Sequence, residues 1–236
     1  MKILAINGSP RGKSSNSDRI LLPFLDGARE VGADAEVIYL SEKTINHCLG
    51  CFTCWTKSPG VCVHQDDMPE LLEKIRLADL IVYATPLYVF TVSGLMKDFM
   101  DRHLPLAQPY ILKRGGQYIH PRRYEEKSKK IILIANCGYP GKHHFSGLVE
   151  TFRCFTSGSD KELAAVILCA AGELLKIPEA QASVKWFIKA CKTAGRELVN
   201  CGKLTPETEA LLNNDLIDPE FYSQMANSYW RGVTSE

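Results

Sequence analysis

Long hydrophobic runs are missing from this chain of 236 residues. The longest apolar stretches, residues 80–84 and 164–171, fall well short of the roughly 20 residues that a transmembrane helix needs. Only four apolar residues separate Lys2 from Asn7, which is too few for the hydrophobic part of a signal peptide. We therefore expect no membrane association, a cytoplasmic location and reduced thiols.

A surplus of one charge is also missing. The sequence has 28 Lys and Arg against 27 Asp and Glu, which gives a formal net charge of +1. This balance excludes nucleic-acid binding driven by bulk charge, so we expect no nucleic-acid partner. Hydrophobic residues make up 45% of the chain and charged residues 23%, and these ordinary values exclude a disordered or low-complexity protein.

Three common catalytic or nucleotide-binding motifs are absent. The dinucleotide fingerprint G-x-G-x-x-G is absent, because Ser9 and Pro10 follow Gly8 and no second glycine stands at position 10. The spacing from Gly8 to Gly12 is one residue shorter than in the P-loop of nucleotide hydrolases, which leaves nucleotide hydrolysis only as an alternative. The G-x-S-x-G nucleophile elbow is missing as well, so we expect no serine-based hydrolysis.

What the sequence does contain is an alternation of strand and helix patterns. The predicted strands cover residues 2–6, 35–40, 80–84, 131–135 and 165–169. The predicted helices cover residues 17–31, 67–77, 93–103 and 145–155, and a helical end follows over 178–201, 205–213 and 218–229. Strands that are apolar throughout and alternate with helices indicate a parallel sheet with both faces covered. We therefore predict a doubly wound α/β fold with a helical C-terminal extension.

The loop after the first predicted strand has the composition of a phosphate site. It follows a strand and leads into a helix, so free backbone N–H groups and the positive end of the helix dipole meet there. Small polar side chains and one arginine stand in it: Ser9, Arg11, Ser15, Asn16 and Ser17. Ligands of parallel sheets bind beyond the carboxyl ends of the strands, so we expect loops 7–17, 85–93 and 136–145 to line one site.

Three short motifs carry a resemblance to a known family. They are Gly8-Ser9-Pro10-Arg11 with Ser15-Asn16-Ser17, then Thr85-Pro86-Leu87-Tyr88, then Asn136-Cys137-Gly138. In this order the sequence resembles the NADPH-dependent FMN reductases over about residues 2–155. The resemblance implies a flavodoxin-like fold with a five-stranded parallel sheet of order 2-1-3-4-5. It also implies an FMN-binding domain over 1–175, a helical extension over 176–236 packed on it, and a homo-oligomer.

The resemblance assigns FMN contacts residue by residue. It places the flavin phosphate at Ser9, Arg11, Ser15, Asn16 and Ser17, and the isoalloxazine ring at Pro86, Leu87, Tyr88, Val89, Asn136, Cys137 and Gly138. Phe90 stands where many members carry a small residue, so access to the ring edge is expected to differ. The implied activity is hydride transfer from NAD(P)H to FMN and then to an acceptor such as a quinone, a nitroaromatic or a flavin. Because the flavin carries this chemistry, no catalytic side chain is predicted.

Nine cysteines occur, an odd number that a closed disulfide framework does not favour. Four of them, Cys48, Cys51, Cys54 and Cys62, fall within 15 residues with the spacing C-x2-C-x2-C-x7-C. Such a loop can supply the four thiolates of a [4Fe–4S] cluster, while packed or redox-active thiols and a zinc site are the other interpretations. The pattern resembles the branch that contains the iron–sulfur flavoproteins. The alternative function is therefore an iron–sulfur flavoprotein, or a flavodoxin-like electron carrier or redox sensor that uses this loop.

A basic segment covers residues 113–130, with seven Lys or Arg and two Glu. The pair Gly115-Gly116 and Pro121 predict a loop here. A solvated excursion is one interpretation, and an electrostatic site for the phosphates of NADPH or for an acidic partner is the other.

Overall fold

A parallel sheet forms the centre of the computed structural model, which describes residues 1–158 and 160–234. The described strands are β1 (Lys2–Asn7), β2 (Asp34–Tyr39), β3 (Leu80–Pro86), β4 (Leu112–Arg114), β5 (Gln117–Ile119), β6 (Lys129–Asn136) and β7 (Lys161–Cys169). β4 and β5 pair antiparallel as a separate hairpin, and the other five form a sheet of order β2-β1-β3-β6-β7 with parallel neighbours. Because the hairpin lies outside the sheet, the predicted order 2-1-3-4-5 is confirmed.

Helices cover both faces of this sheet, which is why its strands are apolar throughout. The described helices are α1 (Asn16–Glu30), α2 (Met68–Leu77), α3 (Gly94–Asp101), α4 (Ser146–Thr156), α5 (Gln181–Asn200), α6 (Pro206–Asn213) and α7 (Pro219–Thr234). α1 and α5 share one buried apolar cluster with the sheet, and α2, α3 and α4 share the other. The predicted doubly wound fold with a helical C-terminal end is therefore confirmed.

The structure differs from the predicted pattern mainly between α3 and β6. The expected loop contains the β4–β5 hairpin, whose turn is the pair Gly115-Gly116, with φ values of 55° and 80°. Two adjacent residues with positive φ are what a tight hairpin turn requires, so the glycine pair is the signal for it. β7 also begins earlier than the predicted residue 165, because Lys161 and Glu162 extend the pairing with β6.

α5 packs directly against α1 because glycines stand at the crossing. A Cβ at Gly27 would lie 1.8 Å from the carbonyl oxygen of Lys192, and one at Gly195 would lie 1.9 Å from that of Phe24. Any side chain at either position would therefore force the two helices apart. Parts of α6 and α7 join the same buried cluster. The division of the chain at residue 175 stays a prediction.

The length of α5 does not make it a membrane helix. It has 20 residues, and charged side chains interrupt its sequence while one apolar face is buried. This mixed composition is typical of a helix that packs on a protein core. Among the described residues, no helix has both the length and the apolar character needed to cross a bilayer.

Candidate functional site

A cleft of about 90 Å³ lies where the carboxyl ends of β1, β3 and β6 meet. Eleven of the predicted flavin contacts line it: Ser9, Arg11, Ser15, Asn16, Ser17, Pro86, Leu87, Tyr88, Asn136, Cys137 and Gly138. Val89 is the one predicted contact outside this lining, and it is 90% exposed. Glu173, which the sequence patterns did not indicate, completes the lining. The three loops thus come together, while their roles as flavin contacts stay predictions.

Buried hydrogen bonds shape the loop between β1 and α1. Asn7 accepts a bond from the N–H of Ser9 at 2.9 Å and donates through Nδ2 to Asp18 at 3.2 Å. Ser15 caps α1, because its Oγ accepts from the N–H of Asp18 at 3.1 Å. Burial raises the pKa of Asp18, although hydrogen bonds from Tyr39 and Asn7 oppose that rise. The loop is therefore fixed by its own side chains.

The first turn of α1 presents donors that suit an anion. The N–H groups of Asn16 and Ser17 stand where a helix offers no carbonyl four residues earlier, and the helix dipole is positive there. The hydroxyl of Ser17 accepts a bond from Nδ2 of Asn136 at 2.8 Å, which ties the first loop to the third. Arg11 stands at the rim with 61% of its side chain exposed. This donor set fits a phosphate group.

A carboxylate from the C-terminal half of the chain lies on the same donors. Glu173 accepts a bond from Nδ2 of Asn16 at 3.3 Å, and its Oε1 lies 3.8 Å from Nη1 of Arg11. It also pairs with Lys176, one turn further along the short helix that follows β7. The donors at the start of α1 thus already contact one carboxylate. A bound phosphate would have to share these donors with Glu173 or displace it.

Bonds between loops fix the second side of the cleft. Ser93 donates to the carbonyl of Gly8 at 2.5 Å and caps α3 by accepting from the N–H of Met96 at 3.2 Å. A Cβ at Gly8 would lie 2.8 Å from Cβ of Met96, so only glycine fits beneath this helix. The N–H of Leu87 donates to the carbonyl of Asn136 at 2.8 Å. The three loops therefore form one connected frame.

Cys137 contributes packing to the cleft. The residue is buried, and burial raises the pKa of its thiol. Its Sγ lies 3.4 Å from the carbonyl oxygen of Tyr139, which a protonated thiol can contact as a weak donor. A thiol with a raised pKa is a poor nucleophile, so the structure favours a neutral wall at this position.

The cysteine loop, residues 43–67, is anchored by a buried ion pair. Arg102 donates to both carboxylate oxygens of Asp66, at 2.7 and 3.1 Å, and the two side chains are 1% and 0% exposed. Burial alone would raise the pKa of Asp66, but bonds from Arg102 and from two backbone N–H groups outweigh it and hold that pKa well below its usual range. Trp55 adds a second anchor, because its Nε1 donates to the carbonyl of Leu104 at 2.9 Å.

The four thiols of the cysteine loop differ in exposure. Cys51 is exposed, Cys54 is buried, and Cys48 and Cys62 are intermediate. A hydrogen bond from Thr53 lowers the pKa of Cys51, whereas burial raises that of Cys54. Within the described part of the chain, no three His, Cys, Asp or Glu side chains are grouped so that they could hold a metal ion. No metal site is therefore preformed in the cysteine loop, and a [4Fe–4S] cluster or zinc on these four thiols stays a prediction.

Two cations of the basic segment make contacts inside the fold. Lys129 is 3% exposed, and its Nζ donates to two backbone carbonyls at 2.7 and 3.0 Å. Arg123 donates to the carbonyls of Pro105 and Ala107, both at 3.0 Å, and to that of Cys54 at 3.4 Å. These cations hold the hairpin region against the core and the cysteine loop. Three of the other five Lys and Arg side chains are exposed, and the interpretation of the segment as a site for the phosphates of NADPH stays a prediction.

Known proteins share both sequence and fold with this chain. The family model described as NADPH-dependent FMN reductase matches residues 1–148. An iron-sulfur flavoprotein of Archaeoglobus fulgidus is 40% identical over 140 residues, which cover 59% of this chain and 57% of that protein. The chain thus spans little more than half the length of such curated relatives.

Solved structures extend the similarity to the C-terminal half. An FMN-dependent NADH-azoreductase from Bacillus anthracis has a TM-score of 0.62 at 17% identity, over 84% of this chain and 99% of that one. An NAD(P)H:quinone oxidoreductase from Methanothermobacter marburgensis has a TM-score of 0.60 at 17% identity, over 84% of this chain and 98% of that one. At this identity the likeness is one of fold. Since the family model matches more than half of the sequence, the chain belongs to the NADPH-dependent FMN reductase family.

Proposed function

We propose that this protein is an FMN-dependent oxidoreductase that draws reducing equivalents from NAD(P)H and passes them to an acceptor. The observation that carries the proposal is the meeting of an anion site at the start of α1 with the ends of β3 and β6 in one cleft. Family membership supports it. In the overall reaction NAD(P)H loses a hydride, solvent supplies a proton, and a quinone acceptor leaves as the hydroquinone.

The first loop would hold the phosphate of FMN. Ser15, Asn16 and Ser17 offer hydroxyl, amide and backbone donors at the helix start, and Arg11 adds a charge at the rim. Ser9 is buried beside them, with its Oγ 3.3 Å from the N–H of Arg11 that donates to it. These side chains are placed before any ligand arrives, so binding requires little rearrangement of the loop.

The other two loops would hold the flavin ring. Pro86, Leu87 and Tyr88 give an apolar side to the cleft, and Cys137 and Gly138 on the β6 loop line it as well. Val89 lies outside the cleft lining, and its ring contact stays a prediction. FMN, when bound, supplies the redox chemistry. The protein's part is then to bind and orient the flavin and to keep a neutral thiol at its side.

Flavin titration tests the phosphate assignment directly. We expect Arg11→Gln to weaken FMN binding about tenfold, because a charge-assisted contact to phosphate is lost. Lys13→Gln is the matched control, since Lys13 lies in the same loop but pairs with Glu42 outside the cleft. Riboflavin, which lacks the phosphate, should bind all three proteins equally. Equal loss of FMN and riboflavin in Arg11→Gln would place the phosphate elsewhere.

Steady-state assays test the activity. Protein loaded with FMN should oxidise NADPH or NADH when menadione is added, and flavin-free protein should not. A protein that binds no FMN, or that oxidises neither nucleotide with any acceptor, would contradict the proposed function. Homo-oligomeric assembly and a cytoplasmic location stay predictions.

A second candidate function is electron exchange through an iron–sulfur cluster in the cysteine loop. The names of relatives such as the Archaeoglobus protein favour it, and four cysteines stand in one loop. The thiols would have to rearrange first, since no metal-holding group exists among the described residues. Anaerobic treatment with iron and sulfide should then give a brown protein that Cys51→Ser abolishes and Cys154→Ser, at an exposed thiol outside the loop, does not. Equal iron uptake by all three proteins would reject the cluster.

A further inference from the structure

A second cavity, of about 910 Å³, lies beside the ends of α3 and α4, and the proposed function does not use it. The β5 strand of the hairpin lines one part of it, and Cys48 and Gly50 of the cysteine loop line another. Lys129 and Lys161, which begin β6 and β7, line it too, whereas the cleft lies at the carboxyl ends of the strands. The two sites share no lining residue, so this cavity is separate from the cleft.

One part of the cavity lining is apolar and aromatic. Ile81 and Tyr83 of β3 are both buried, and Phe155 of α4 meets the ring of Tyr83 edge to face, with centroids 5.8 Å apart. The volume falls within the roughly 300–1,000 Å³ that small-molecule sites in proteins have. The cavity can therefore take an apolar body of that size.

The polar part of the lining contains two buried nitrogen atoms without partners among the described residues, Nη2 of Arg122 and Nε2 of His103. The other nitrogens of Arg122 are used. Nη1 donates to the carbonyls of Glu126 and Lys127, both at 3.1 Å, and Nε lies 3.5 Å from Oδ2 of Asp160. A buried N–H group without a partner is destabilising, so Nη2 indicates that an acceptor from a ligand belongs here.

Charged side chains also line the cavity, and the basic ones outnumber the acidic ones. They are Arg122, Lys129, Arg153, Lys161, Asp101, Glu126 and Glu150. All three acids are already paired, two with cations of the same lining and Asp101 with Lys97. Asp160 contacts both Arg122 and Arg114, so there one carboxylate serves two cations. An anion that enters would therefore meet an excess of positive charge at Arg122.

Two basic groups of the lining respond to this charge. Burial, together with the charge of Arg122, lowers the pKa of Lys161 to about 8. Burial, together with the charge of Lys161, lowers the pKa of His103 to about 3, so this imidazole is neutral near pH 7. Both shifts show that further positive charge is disfavoured here, which is the electrostatic setting that favours a bound anion.

We propose that this cavity binds an organic carboxylate with an apolar body, its carboxylate on Arg122 and its body against Tyr83 and Phe155. A carboxylate supplies the acceptor that Nη2 of Arg122 lacks, in a charge-assisted hydrogen bond. The body of the molecule gains by leaving water for the aromatic part of the lining. The inference goes beyond the proposed function, because the cavity lies apart from the cleft and no electron transfer is assigned to it.

Calorimetric titration of FMN-saturated protein with 2-naphthoate tests the proposal. We expect the uncharged analogue 2-naphthamide to bind about tenfold more weakly, because a hydrogen bond between two charged groups is lost. Arg122→Gln should weaken the binding of 2-naphthoate about tenfold and leave that of 2-naphthamide unchanged. Arg114→Gln removes the same charge from the other partner of Asp160, outside the cavity lining, and is the matched control. Circular dichroism checks that each variant is folded.

Alkylation of the wild-type protein gives a readout that needs no variant. Cys154 is exposed and lines the cavity, whereas Cys201 is exposed outside the lining. Bound 2-naphthoate should slow the reaction of Cys154 with N-ethylmaleimide and leave that of Cys201 unchanged, which mass spectrometry of the two peptides measures.

Five results would overturn the inference. Absence of 2-naphthoate binding at millimolar concentration, equal affinities for the two naphthalenes, or equal losses in Arg122→Gln and Arg114→Gln would show that the cavity has no carboxylate site. Release of FMN by 2-naphthoate would place its binding in the cleft. A Cys154 thiol that resists alkylation without ligand would show that a second copy of the chain covers the cavity. Failure to bind FMN contradicts the proposed function alone, and the titration is then made without flavin.

Discussion

The cleft and the cysteine loop are both held by buried polar contacts, but only in the cleft do the candidate binding residues already bond to one another. In the cleft, side chains from separate loops already bond to one another, as Asn136 does to Ser17. In the cysteine loop, the pair Asp66–Arg102 fixes the base while the thiols lie in different environments. Parallel strands bring loop ends together through backbone topology alone. Four thiols in one loop have no such constraint, and a bound metal is what usually draws them together.

Removal of Arg102 is expected to have the largest effect, because it detaches the cysteine loop and leaves Asp66 charged and buried. Arg102→Met should lower the free energy of unfolding by about 3–5 kcal/mol. Lys97→Met removes an exposed ion pair with Asp101 on the same helix and should cost at most about 0.5 kcal/mol. Urea titration measures both. Similar losses in the two variants would show that the buried pair is no stronger an anchor than a surface pair.

Acidification should weaken the same anchor. The pKa of Asp66 in the fold lies below its ordinary value of 3.8, so the unfolded chain binds the proton more readily. The stabilisation is complete above that ordinary value and is lost as the pH falls towards the folded pKa, by at most about 1.4 kcal/mol per pH unit. Urea titrations at several pH values should show a shallower decline in Asp66→Asn than in the wild type. Parallel declines would contradict the assignment.

Removal of the backbone strain at Val89, which has a positive φ, should stabilise the loop after β3 and leave the cysteine loop unchanged. Val89→Asn should raise the free energy of unfolding by about 1 kcal/mol, because asparagine tolerates positive φ better than a β-branched residue. Val61→Asn changes an exposed valine outside the residues with positive φ and should give no gain. Thermal unfolding compares the two. A destabilised Val89→Asn would show that the valine side chain has a packing role.

The smallest expected effect concerns the carboxylate at the phosphate donors. Glu173→Gln should tighten FMN binding a few-fold, about what an exposed charge pair contributes, because the phosphate no longer competes with Glu173 for Asn16 and Arg11. Glu179→Gln removes the same charge from a nearby exposed position and serves as the control. The difference should shrink at high salt. Weaker FMN binding in Glu173→Gln would instead indicate that Glu173 positions Asn16.

Much of the fold and most of the cleft lining could be predicted from the sequence. The apolar strands and the loops after them are local patterns, and sheet topology alone brings their ends to one edge. The helix starts are less exact, because the pattern places them at residues 17 and 93, whereas Ser15 and Ser93 are the caps of α1 and α3. The pair Gly115-Gly116 is also visible in the sequence, and two adjacent glycines favour the tight turn of a β-hairpin.

Other features depend on contacts that no local pattern contains. Glu173 meets Asn16 across 157 positions of sequence, and no motif surrounds it. Val89 has a positive φ, a backbone conformation that valine disfavours, so the preferences of this residue type predict against the observed turn. The spacing of the four cysteines shows that they are near in sequence, but it does not predict which thiols are buried and which are exposed. The partner of Asp66 is likewise set by how α3 packs on the loop.

The position of Trp55 gives the cysteine loop its own optical reporter. Its indole donates to Leu104, and its ring lies 5.2 Å from that of Phe52 and 4.8 Å from that of His120. The chain has three tryptophans, of which Trp230 is 58% exposed on α7. With Trp186 and Trp230 replaced by phenylalanine, the remaining emission would follow the surroundings of this loop alone. Any rearrangement of the loop would then change the wavelength and intensity of the Trp55 fluorescence, without an added label.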